Sequence, residues 1–190
     1  DDLPEDSMPC YSADGETIYY AQLNNGISSI CELDTDNMTS KTIFAEKDVT
    51  SYYPMTSDNG LYFTKWLSAD NMTDTIVKFE NGNVIPLPFS DGRFNCSDPF
   101  PCDNGNTFYS STQNGSYDLF LYDGNSSNEL VFLNTELNEL GSSYFSDKNA
   151  DDITSSASDF ILGRTANIPN ADADGNKIVD SFDMIYLRRQ

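Results

Sequence analysis

One short motif returns along this chain at nearly constant spacing, and few folds tolerate that. It reads Ser12-Ala-Asp14-Gly15-Glu-Thr-Ile18-Tyr19-Tyr20, then Ser57-Asp58-Asn59-Gly60-Leu61-Tyr62-Phe63, then Cys102-Asp103-Asn104-Gly105-Asn-Thr-Phe108-Tyr109. A weaker copy is Ser146-Asp147-Lys148-Asn149-Ala-Asp-Asp-Ile153. Subtracting the positions of Asp14, Asp58, Asp103 and Asp147 gives intervals of 44, 45 and 44 residues. Each Asp-Gly or Asn-Gly is a tight-turn signal that opens a β-branched and aromatic strand. A second strand follows in each unit: Ile27–Leu33, Thr75–Phe79, Asp118–Tyr122 and, more loosely, Asp159–Leu162. Further turns at Asp34–Asn37, Glu80–Asn83 and Asp123–Ser126 lead to short outer strands at Lys41–Phe44, Val84–Leu87 and Glu129–Leu133. The extended dipeptides Tyr53-Pro54 and Asp98-Pro99 enter the Asp turns and suit the innermost strand of a unit.

Four short strands per repeat of about 44 residues is the period of a β-propeller blade. A β-sandwich also uses Gly-rich turns, but it does not space one motif equally over four copies. The Ser-x-Asp-Gly-x-x-Ile-Tyr-Tyr signature resembles the TolB-like, WD40-like propeller repeat, with Ala13 where Pro is usual. The resemblance implies an all-β region over residues 1–163 with three to four blades. Either an N-terminal strand completes a small ring, or further blades precede Asp1, which fits common ring sizes better. No useful helix is expected before Ser181.

The chemistry that most demands explanation lies near the end. In Asp172-Ala-Asp174-Gly-Asn176-Lys-Ile178-Val-Asp180-Ser-Phe-Asp183, oxygen side chains fall at positions 1, 3, 5, 9 and 12 of a twelve-residue loop. That spacing wraps oxygens around Ca²⁺, with the Ile178 carbonyl as the seventh-position ligand. Lys177 stands where an EF-hand has Gly, and Asp183 where it has Glu. An apolar run follows, and Arg188 and Arg189 suit the C-terminal end of a helix. The alternative is a solvated acidic loop without metal.

The loop with its Met-Ile-Tyr-Leu-Arg-Arg continuation resembles one calcium repeat of a type I dockerin, over residues 168–190. Dockerins are half-EF-hand modules that plug proteins into the cohesins of a cellulosome scaffold, and Asp at position 12 is normal for them. The resemblance implies Ca²⁺ as the bound ion, a cohesin as partner and an extracellular location. By the same resemblance, Ser181, Phe182, Leu187, Arg188 and Arg189 face the cohesin, with Phe182 where a small hydroxyl residue is common. A dockerin uses two such repeats and one is visible, so the sequence is read as part of a longer protein.

Composition narrows the rest. A net charge of −21 argues against nucleic acid or an anionic membrane surface as partner, and no apolar run is long enough to span a bilayer. The chain has no His, which removes His-based general bases and Ser-His triads from this region. Cys96 and Cys102 enclose a short Pro-containing loop and could pair, whereas Cys10 and Cys31 fall on expected strands as buried thiols. Trp66, in a segment read as loop-rich, is the best candidate for stacking on a sugar ring, against a purely structural role. Among 31 acidic residues no catalytic pair can be singled out. The propeller is therefore expected to bind polysaccharide or protein. The alternative is a glycoside hydrolase or polysaccharide lyase carried by the same dockerin.

Overall fold

The computed structural model describes residues 3–67 and 73–143, which lie in one unit spanning Asp1–Ser143. Twelve strands form three sheets, and the described residues contain no helix. The first sheet is β1 (Glu5–Tyr11), β2 (Thr17–Asn24), β3 (Ile27–Asp34) and β4 (Thr39–Ala45). The second is β5 (Val49–Ser57), β6 (Gly60–Leu67), β7 (Thr75–Glu80) and β8 (Asn83–Pro86). The third is β9 (Cys96–Pro101), β10 (Thr107–Ser111), β11 (Asp118–Tyr122) and β12 (Ser127–Glu129). Each sheet is an antiparallel meander in chain order, as a propeller blade requires. Strand β5 packs on β1, β2 and β3 of the sheet before it, and β9 packs on β5, β6 and β7. The first strands of successive sheets thus converge on one inner edge.

The Asp turns at 14, 58 and 103 occupy the same place in each sheet, between the first and second strands. In the first, Asp14 accepts from the Ser12 hydroxyl at 2.5 Å and from the Glu16 amide at 3.0 Å, which fixes the turn before β2. Gly15 supplies the left-handed residue at φ +79° that this turn needs. The second turn is shorter, with Ser57 paired directly to Gly60. It is tied to the third: the Asp58 amide donates to Asp103 at 3.1 Å, and Asn59 Nδ2 donates to the Asp103 carbonyl at 3.1 Å. The fourth copy, at Asp147, lies outside the described residues.

A second repeat is finer than the first. Met8, Tyr53 and Asp98, spaced 45 residues apart by subtraction, all have φ between 53° and 54°, and each precedes a proline. In each first strand the register slips here: between Ser7 and Cys10, between Tyr52 and Met55, and between Ser97 and Phe100. These are β-bulges, which bend a strand and redirect its side chains. The bulge changes which residues point inward; in β5 the buried positions are Val49, Ser51, Pro54 and Ser57. Counting from the bulges aligns the sheets residue by residue. Ser7 pairs with Ala21, Tyr52 with Thr64, and Ser97 with Ser110. At the heads of the third strands, Ser28 within β3 and Asp74 and Tyr117 just before β7 and β11 then become equivalent.

Aromatic and branched side chains fill the wedges between sheets. Ala21 and Ile30 meet Leu61, Phe63 and Val77 in the first wedge. Phe63 lies between Phe44 and Phe79, with ring centroids 5.1 and 6.4 Å away. In the second, Ile76 meets Cys96, Tyr109 and Phe120, and Phe89 stacks on Tyr109 at 4.1 Å. Two sequence expectations need correction. Cys96 and Cys102 do not pair: Cys96 opens strand β9 and Cys102 directly follows it, so an extended strand rising about 3.3 Å per residue holds the thiols far beyond bridging distance. Trp66 is not in a loop but paired with Thr50 inside β6. The third outer strand is also displaced, to Ser127–Glu129, because Leu130–Leu133 closes a turn instead.

Candidate functional site

Because each sheet is a meander, the start of its first strand and the loop between its second and third strands lie at the same end. At that end, the sequence places Tyr52, Tyr53, Ser97 and Asp98 on β5 and β9, with Asp74 just before β7 and Tyr117 just before β11. The structure brings these six residues together between the second and third sheets.

Asp74 is the hub. Its Oδ2 accepts from the Tyr117 hydroxyl at 2.8 Å, and the Tyr52 phenol is directed at the same carboxylate. Its backbone is fixed twice, its amide donating to Asn95 Oδ1 at 2.9 Å and its carbonyl accepting from the Cys96 amide at 2.8 Å. Asp98 sits on the bulge of β9, and its amide donates to Thr64 Oγ1 at 3.1 Å. That bond crosses from the third sheet to the second and fixes where the Asp98 side chain emerges. Gly141, at φ +73°, closes the group: a Cβ there would lie 3.2 Å from the Tyr53 hydroxyl. Its amide donates to Ser110 Oγ at 3.3 Å and lies near the Asp98 carboxyl.

The electrostatics follow from this crowding. Burial, and then the nearby charge of Asp74, raise the affinity of Asp98 for its proton above that of an ordinary carboxyl. Burial and the same two carboxylates push the Tyr52 and Tyr117 phenols up, so both stay protonated donors. Tyr53 is raised by burial and then by Asp98. Neither Asp74 nor Asp98 meets a Lys or Arg among the described residues; Lys65 pairs with Glu46 and Lys78 with Glu80. The result is a half-buried, acceptor-rich patch walled by aromatic rings. It can hold a cation or donate hydrogen bonds to a polar ligand.

The residues picked out from the sequence fall elsewhere. Asp172, Asp174, Asn176, Ile178, Asp180 and Asp183, and the cohesin-facing Ser181, Phe182, Leu187, Arg188 and Arg189, lie outside the described residues. Trp66 is half-buried and its Nε1 has no hydrogen-bond partner among the described residues. None of the cluster residues was expected as a site. The signal was present in the X-Pro repeat at 45 residues, where Met8-Pro9 completes the series begun by Tyr53-Pro54 and Asp98-Pro99. A residue before proline favours extended backbone, so the left-handed bulge was not to be read from sequence.

No protein-family model matches the chain, and no curated protein matches it. Among solved structures, it is similar to TolB from Acinetobacter baumannii, with 21% identity and a TM-score of 0.53 over 66% of this chain and 32% of that one. A putative TolB from Agrobacterium tumefaciens gives 21% and 0.52, over 63% of this chain and 44% of that one. A puromycin-hydrolyzing peptidase from Mycobacterium tuberculosis gives 14% and 0.51, over 67% and 23%. The chain therefore spans less than half the length of each of these proteins. At such identities the likeness is one of fold: the described residues are three consecutive blades of a TolB-like β-propeller.

Proposed function

We propose that this protein is an extracellular component of a cellulosome-type assembly, carried to a cohesin by a calcium-dependent dockerin repeat, with the propeller as its binding module. The observation that carries the reading is the ligand spacing from Asp172 to Asp183. Asp172, Asp174, Asn176, Asp180 and Asp183 supply side-chain oxygens, and Ile178 a carbonyl. Ser181, Phe182, Leu187, Arg188 and Arg189 then present a locally basic docking face on a chain of charge −21. Such a face selects an acidic partner surface and speeds encounter, an effect that falls with salt.

Support for binding rather than catalysis comes from the propeller. Its convergent polar groups sit at one end of the inner edge, where an elongated polysaccharide or a protein can reach them. Two measurements test the proposal. Calorimetric titration of the chain with Ca²⁺ should show one site that Asp172→Ala abolishes, and equal heats in both would sink the metal assignment. Capture of the protein on immobilised cohesins should vanish in EDTA; retention that survives EDTA would remove the docking reading.

A further inference from the structure

We draw no further inference here: the strongest candidate, the exposed apolar side chains of Val131, Phe132, Leu133, Leu137 and Leu140 on the segment that leaves the third sheet, is an unpartnered face, and nothing among the described residues shows what covers it.

Discussion

Between the first and second sheets, Ala21 and Ile30 press against Leu61, Phe63 and Val77; between the second and third, the same backbone positions place Thr64 beneath Asp98 and Asp74 beside Tyr117. Both interfaces are staged by a bulge at the residue before a proline on the first strand. The side chains then diverge. At the head of the third strand, the first sheet has Ser28, which accepts from the Ser51 amide at 2.9 Å and donates to its carbonyl at 2.7 Å. That small reciprocal clasp satisfies its own groups. The Asp74 carboxylate is instead engaged by two phenols, those of Tyr52 and Tyr117. Both wedges are packed, and the second also carries a carboxylate–phenol cluster at one end. A repeat fold can therefore keep its scaffold in every wedge and place its chemistry at the end of one.

The largest effect that would sharpen this comparison is expected from the apolar side. Phe63 is fully buried between two other rings, and Phe63→Ala should cost about 3–5 kcal/mol, from lost transfer energy and the cavity left behind. Urea unfolding followed by circular dichroism measures it. A loss under about 1 kcal/mol would mean that the first wedge is not the packed interface described here.

A middle-sized effect is expected where the two interfaces use hydroxyls. Thr64→Val keeps the shape of a fully buried side chain but strands the Asp98 amide, which should cost about 1–3 kcal/mol. Ser28→Ala strands the Ser51 amide and should cost about as much. If the threonine change were neutral while the serine change was not, Asp98 would not be positioned by the second sheet. The comparison would then break at its central claim.

How much of this was legible beforehand depends on which force sets each feature. The blade count in the described region and the strand order followed from turn chemistry, because Asp-Gly and Asn-Gly fix local backbone whatever surrounds them. The third strands at Ile27, Thr75 and Asp118 begin where the apolar alternation places them. The outer strand of the third sheet was misplaced because Leu130 and Leu133 look like strand residues. The turn that joins them depends on the Leu133 amide finding the Leu130 carbonyl at 2.8 Å. The Cys96–Cys102 pairing failed because proximity in sequence across an extended strand means separation in space. The Asp74–Asp98 pair was invisible for a different reason. Its two members lie 24 residues apart by subtraction and meet only because successive first strands converge.

The smallest expected effect is the most discriminating, because it depends on pH. Burial and Asp74 raise the folded-state pKa of Asp98 above its unfolded value. A carboxyl raised in this way binds its proton more tightly when folded. Its favourable contribution is therefore complete below the unfolded value of about 3.9 and is lost as pH rises through the folded one. Above that window the ionised group is a constant burden on the fold. Asp14, Asp91 and Asp123 run the other way: hydrogen bonds from Ser12, Arg93 and Ser126 lower them, so their contribution is lost as pH falls. Acid unfolding of the parent chain mixes the two signs. Asp98→Asn separates them, since the amide keeps the shape and removes the charge. Its melting temperature should exceed that of the parent at neutral pH, and the gap should close towards pH 3. A gap that stayed constant with pH would mean that Asp98 is solvated like any surface acid. A gap of opposite sign would mean that its charge is already neutralised by a group within the folded chain. Either result would remove the contrast between the two interfaces.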